Sequence, residues 1–325
     1  MQVYRSLEQI PASLGATVVA IGNFDGVHRG HQAIIADVRR RAASMAARTV
    51  AVTFEPHPMR VLRPAQAPRL ITPFAERLER LADTGLDATL VLDFTSDFAG
   101  TPAEVFAEQV LQLALKAVAV HEGDNFRFGR GAEAGTPELR AFGEQMGFAV
   151  YGHQMLTLRG RPVSSSEVRQ AIAKGEMGLA RALLGRVFSI RSTQVRERGV
   201  GSRLLVPTIN LAEYAELTPA HGVYITCVTL GHGAEARRFD AVTNCGVRPT
   251  FGLERFAIES YLLDWNPSLD PVELTPTTPV EVHFLARLRE EQAFPSPEAL
   301  KEQILRDVAK AKRYHQHRKG VGGVS

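Results

Sequence analysis

The sequence predicts a doubly wound α/β domain followed by a small antiparallel β-barrel and a closing helix. Two observations predict it. From Thr17 to about Gly185, short apolar runs alternate with segments of helical period, the pattern of a parallel sheet wrapped by helices. After Arg186 the segments are strand-like, separated by proline and glycine, until one last helix-period stretch ends the chain.

In chain order, the strands expected in the first domain are "TVVAIGNF", "RTVAVTF", "ATLVLDF", "AVAVHEG" and "FAVYGHQM". Between them "HQAIIADVRRRAASMAA", "PFAERLERLADTG", "TPAEVFAEQVLQLAL" and "TPELRAFGEQMG" carry apolar residues at helical spacing. The barrel strands are "GVYITCVTL", "RRFDAVTNCG", "AIESYLLDW" and "VEVHFLARL". In the closing helix Ser296 is placed to cap, and Leu300, Ile304, Leu305 and Val308 to form the apolar face against the barrel. The expected division is 1–184, 185–317 and a flexible tail, 318–325, with the boundary near "LLGRVFSI".

At 325 residues the chain accommodates two cores, and its 45% hydrophobic content is that of a globular enzyme. No run approaches a membrane span, and the start "MQVYRSLEQIPASL" lacks a signal-peptide layout, so a cytoplasmic protein with no membrane partner is expected. Two cysteines without metal or redox spacing fit a reducing compartment. A net charge of +3 is too small to indicate a nucleic-acid partner but suits anionic small-molecule substrates, and a homo-oligomer is compatible with the sequence.

"GNFDGVHRGH", Gly22 to His31, falls where a strand hands over to a helix. Glycines there let backbone approach a ligand, and the amides opening the helix favour an anion. His28 and His31, three apart, share one side of the turn and can both donate to phosphate oxygens. Taken alone, the pair reads equally as a capped helix with two satisfied histidines. Zinc would need further ligands at usable spacing, and none are evident. "TFEPHP" and "GDNFRFG" fall at the same carboxyl edge of the sheet, where such folds bind ligands.

With "SSSEVR", these segments match in letters, order and spacing the adenylyltransferase module of the bacterial bifunctional riboflavin kinase and FAD synthetase family, which the whole chain resembles. The resemblance implies a Rossmann-like nucleotidyltransferase domain of the His-x-Gly-His type that adenylylates FMN with ATP, giving FAD and pyrophosphate. It implies His28 and His31 as catalytic residues. It places Gly22, Asn23, Phe24, Asp25, Gly26, Gly30, Asn125, Arg161, Ser164, Ser165, Ser166 and Arg169 on ATP, and Pro56, His57, Pro58, Asn125 and Phe128 on the flavin. Phe126 adds aromatic surface, with Asp124 and Arg127 as supports. Ser166 stands where the family usually has threonine, and the hydroxyl is kept.

Pro207 suits strand entry in "VPTINL", which sets Thr208 and Asn210 two apart on a strand, hence on one face, where both side-chain oxygens can serve a hard cation. An ordinary edge strand fits the same letters. "HGVYI", "NCGVRPTF", "IESYLLDW" and "LREEQAF" follow in the order of the family's riboflavin kinase module. The resemblance implies ATP-dependent phosphorylation of riboflavin to FMN, with Glu259 as base, Thr208 and Asn210 on Mg2+ and nucleotide, Gly199 and Gly201 in the phosphate loop, and Arg248 as support. Where the family's loop commonly reads Gly-Arg-x-x-Gly-Phe-Pro-Thr-Ala-Asn, this chain has Ser202, Leu205, Val206 and Ile209 at the second, fifth, sixth and ninth positions. Kinase activity is expected to persist with altered nucleotide contacts. A monofunctional adenylyltransferase and a flavin-binding regulator are the alternatives; a regulator would need neither the magnesium pair nor the base.

Overall fold

The computed structural model describes residues 1–195, 208–250, 253–265 and 275–320, with the backbone alone at 234, 248–250, 253–255 and 320. It divides into two compact units, Met1–Val168 and Arg169–Ser325.

The first unit is built on β1 (Gln2–Tyr4), β2 (Thr17–Ile21), β3 (Arg48–Glu55), β4 (Ala88–Asp93), β5 (Ala117–Gly123) and β6 (Ala149–His153), all parallel, in the order β1-β4-β3-β2-β5-β6. A strand covered on both faces is apolar at nearly every position; β2 is buried along its length, and the hydroxyl of Thr17 at its start is satisfied by donating to the Leu115 carbonyl at 2.7 Å. Its side chains alternate between two cores: Val19 and Ile21 pack with Phe54 and Leu111, whereas Val18 and Ala20 pack with Ile35 and Val38. Each valine or isoleucine so buried contributes about 1.5–3 kcal/mol. Short β1 escaped the sequence reading because three residues carry no periodicity; its pairing with β4 alone defines it.

The helices are α1 (Arg29–Ser44), α2 (Pro58–Leu62), α3 (Phe74–Asp83), α4 (Ser96–Ala99), α5 (Ala103–Phe106), which runs into π-helical Ala107–Ala114, and α6 (Thr136–Met146). α1 buries Ile35, Val38 and Ala42, three and four apart, against the sheet. The hairpin β7 (Thr157–Leu158) and β8 (Arg161–Pro162) leads to α7 (Ser165–Ala173) and α8 (Met177–Leu184). α8 packs on barrel strands and groups with the second unit.

The second unit is a closed antiparallel barrel of β9 (Phe188–Val195), β10 (Thr208–Leu211), β11 (Gly222–Leu230), β12 (Arg237–Thr250), β13 (Leu253–Leu262) and β14 (Pro279–Arg289), ordered β10-β13-β12-β11-β14-β9. β9 follows the expected boundary directly, and with β10 it closes the barrel. A ladder of buried hydroxyls crosses the interior, Thr226 to Thr243 at 2.7 Å and Thr243 to Ser260 at 2.8 Å, each satisfying the next.

The closing helix α9 (Pro297–Gly320) is capped by Ser296, whose Oγ accepts the Ala299 N–H at 3.2 Å. Its seat is partly polar. Ala311, Val308 and Tyr314 pack against Ile225, Cys227, Leu263 and Leu285, while Asp307 pairs with Arg289 at 2.8 Å and His315 with Asp240 at 3.0 Å. Leu305, expected on that face, is 55% exposed. The sequence reading followed the apolar letters, but buried Asp307 and His315 mark the contact stripe one position round the helix. Arg318, Lys319 and Gly320, assigned to the tail, are helical.

Candidate active sites

β2 lies between β3 and β5, so the chain leaves β2 toward one side of the sheet and reaches the other only later. A crevice therefore opens at the carboxyl ends of these strands. It is a cavity of about 1060 Å³.

One wall is the loop after β2. Buried Asp25 accepts from the backbone N–H of Ile71 and of Thr72, both at 3.1 Å. The Asn23 carbonyl accepts from Thr53 Oγ1 at 3.3 Å and Arg77 Nη1 at 2.9 Å, and Ser165 Oγ donates to the Asp25 carbonyl at 2.9 Å. Gly26 turns the loop with φ +83, and a Cβ there would stand 3.0 Å from the Ile71 side chain.

His28 caps α1: its Nδ1 accepts the His31 N–H at 3.3 Å, which puts the neutral ring's proton on Nε2. The two imidazoles stack with centroids 3.6 Å apart. Gly30 permits this, since a Cβ would stand 3.1 Å from both the His28 ring and the Val163 carbonyl. Burial, then the neighbouring His28, holds His31 well below the usual histidine pKa, so the stacked pair is not doubly charged at neutral pH.

His57 repeats the device at α2, its Nδ1 accepting the Met59 N–H at 3.2 Å. Beyond it runs a chain of aromatic rings: Phe54 to Phe94 (5.8 Å), Phe94 to Phe98 (5.7 Å), Phe98 to Phe106 (6.3 Å), Phe106 to Phe128 (5.7 Å) and Phe128 to Phe126 (5.3 Å). All six line the cavity. The sequence reading named only Phe126 and Phe128; "TFEPHP" and "DFTSDF" held the signal for Phe54, Phe94 and Phe98, which read as ordinary core in isolation.

Among the residues expected here, Gly22, Asn23, Phe24, His28, Gly30, His31, His57, Pro58, Asn125, Phe128, Ser164, Ser165 and Ser166 line the cavity. Asp25 and Gly26, expected on ATP, do not: the carboxylate is turned inward onto backbone amides, and the glycine serves the turn. Pro56 lies outside the lining beside His57, and Arg161, on β8, is half-exposed, 3.7 Å from Glu167. Ser164 caps α7 by accepting the Glu167 N–H at 3.3 Å. Arg169 sits further along that helix, at the first position of the second unit.

β5 carries two ionisable groups where an apolar strand is the rule. His121 and cavity-lining His153 meet at 2.8 Å, Nδ1 to Nε2, and burial with His153 and Arg41 nearby drives His121 down to about 4. Burial of the adjacent Glu122, with Asp124 nearby, raises its carboxyl to about 7.

In the barrel, β10 and β12 flank β13 so that Asn210, Glu259 and Asn244 stand opposite one another in one row. Thr208 Oγ1 donates to Glu259 Oε1 at 2.7 Å, and the period of two keeps Thr208 and Asn210 on the same face. The spacing therefore assembles Thr208, Asn210 and Glu259 into one polar patch, and the pairing adds Asn244, which the sequence reading passed over inside "NCGVRPTF". Gly199, Gly201, Ser202, Leu205, Val206 and Pro207 lie outside the described residues, as does the side chain of Arg248.

Cys227, Asp240 and His315 bring donor atoms within 4.8 Å of one another. Lys319 Nζ lies 2.8 Å from Asp240 and an Arg318 nitrogen 3.6 Å from Cys227 Sγ, so side-chain cations already balance this cluster, which fastens α9 to the barrel.

Both parts of the chain have counterparts among known proteins. The FAD synthetase family profile matches residues 10–167, and the riboflavin kinase profile matches 184–315. A bifunctional riboflavin kinase/FMN adenylyltransferase of Pseudomonas fluorescens is 36% identical over 313 residues, covering 96% of this chain and 97% of that protein. The Escherichia coli K12 protein of the same name is 33% identical, covering 95% of each. A Streptococcus pneumoniae crystal structure, described as a macrolide-efflux protein, superposes with a TM-score of 0.83 at 26% identity, covering 95% of this chain and 98% of that one. Among the described residues no helix is long and apolar enough to cross a membrane.

Proposed function

Since the chain belongs to the bifunctional riboflavin kinase/FMN adenylyltransferase family, we infer that it converts riboflavin and ATP to FMN, and FMN and a second ATP to FAD and pyrophosphate. We assign adenylylation to 1–184 and phosphorylation to 185–317.

In adenylylation an FMN phosphate oxygen attacks the α-phosphorus of ATP as the bond to the bridging oxygen breaks and pyrophosphate leaves. The nucleophile is already ionised, so the site has to align it and stabilise charge rather than remove a proton. His28 donates from Nε2, and His31, whose pKa burial holds low, gains a proton more readily beside phosphate. The amides opening α1, the hydroxyls of Ser164, Ser165 and Ser166, and Asn125 complete the phosphate contacts. His57, Pro58 and the aromatic chain that includes Phe128 hold the isoalloxazine ring. The stacked histidines at a helix start inside the switch-point cavity carry this assignment.

In phosphorylation Glu259 takes the riboflavin 5′-hydroxyl proton as that oxygen attacks the γ-phosphorus and ADP leaves. Thr208, 2.7 Å from Glu259, with Asn210 on the same face, gives an all-oxygen donor set that fits a hard cation, and Thr208 and Asn210 would hold Mg2+. When bound, the ion offsets charge on the transferred phosphates. Both cysteines are free and buried, which suits a reducing cytoplasm.

The full chain incubated with riboflavin, ATP and Mg2+, followed by chromatography, should yield FMN and then FAD. If supplied FMN gives FAD but riboflavin gives no FMN, the chain is a monofunctional adenylyltransferase; failure to make FAD from FMN overturns the first assignment.

A further inference from the structure

Arg77, on α3, is fully buried, and its guanidinium bridges two loops that approach the cavity from neighbouring strands. Nη1 donates to the carbonyl of Asn23, in the loop after β2, at 2.9 Å. Nη2 donates to the carbonyl of Phe54 at 3.0 Å and to Glu55 Oε2 at 2.6 Å, where β3 enters the His57 loop. The ring of Phe74 lies 5.0 Å from the guanidinium carbon. Residues Ile71 and Thr72, just before α3, hold Asp25 of the first loop as well. One helix thus grips the loop assigned to ATP and the loop assigned to the flavin.

A buried guanidinium costs several kcal/mol of desolvation and persists where its contacts offset that cost. Its planar fork reaches acceptors on both loops at once, which the single ammonium of lysine cannot reproduce with the same geometry. Asn23 is thus joined to Phe54 and Glu55 through one rigid group.

We propose that Arg77 is a positioning residue that couples the nucleotide loop to the flavin loop, so that occupancy of one substrate site sets the affinity of the other. The proposal rests on the adenylyltransferase assignment. Titration of the full chain with FMN by flavin fluorescence, without and with α,β-methylene ATP and Mg2+, tests it. In the wild-type chain the analogue should change FMN affinity by about five-fold or more. In Arg77→Lys that factor should fall to within about two-fold of unity while each separate affinity stays within about three-fold. Adenylylation should then lose kcat more than KM, with riboflavin phosphorylation by the same chain unchanged, a signature that general misfolding would not give. Glu55→Gln, which weakens only the flavin-loop arm, should reduce the coupling partially and serves if Arg77→Lys does not fold. Coupling absent from the wild type, or undiminished in whichever variants fold, overturns the proposal. Failure of the wild-type chain to bind or adenylylate FMN overturns the assignment instead.

Discussion

Replacing Glu259 with glutamine separates the two activities most cleanly. Gln keeps the length and planarity of Glu, and its Oε1 can still accept the Thr208 hydroxyl that now lies at 2.7 Å. The row Asn210, Glu259, Asn244 stays in register because backbone pairing sets it. What disappears is basicity. A positioned general base contributes about 10²- to 10⁴-fold, or about 3–5 kcal/mol of barrier. Weakening one charge-assisted hydrogen bond changes stability by only about 1 kcal/mol. Glu259→Gln should therefore lower kcat for riboflavin phosphorylation at least about 100-fold, with the barrel's unfolding midpoint nearly unchanged. FMN adenylylation, measured on the same preparation as pyrophosphate release from supplied FMN, should match the wild type. A kinase rate within a few-fold of wild type would refute Glu259 as the base, and loss of both rates together would refute two independent sites.

Three other substitutions probe the scaffold. The Glu122 carboxyl, raised from 4.5 to about 7 by burial, stays protonated in the folded chain over a pH range where the unfolded chain has ionised. The stability linked to that proton is therefore present below pH 4.5 and lost as pH rises through 7, so Glu122→Gln should gain about 3 kcal/mol over wild type by pH 8.5 and little at pH 4.5 in denaturant titrations. Asp25→Ala leaves the buried amides of Ile71 and Thr72 without that acceptor, and should cost about 3 kcal/mol and depress adenylylation while the kinase persists. Leu305→Lys, on the exposed side of α9, should shift stability by less than about 0.5 kcal/mol in thermal melts.

How far the letters reach depends on the range of the interaction. Strand β2 is legible because a parallel strand buried on both faces reads as a near-continuous apolar run, and Thr208 and Asn210 share a face because the strand period is two. Pairing has no local signature, which is why β1, β9 and the neighbour Asn244 escaped notice. Asp25 shows the same limit inside a well-read segment: "NFDG" marks a loop, but the amides of Ile71 and Thr72, distant in sequence, help turn its carboxylate inward.

The sequence by itself determined two domains and their classes, because hydrophobic period and local turn residues act over a few neighbours, and its resemblance to a known family marked the segments that carry chemistry. Only the tertiary structure decided which of those side chains face the cavity, how six phenylalanines join into one wall, and that buried Arg77 ties two loops together. Those outcomes depend on contacts between residues far apart in the chain, where burial and hydrogen-bond satisfaction, not local preference, select the arrangement.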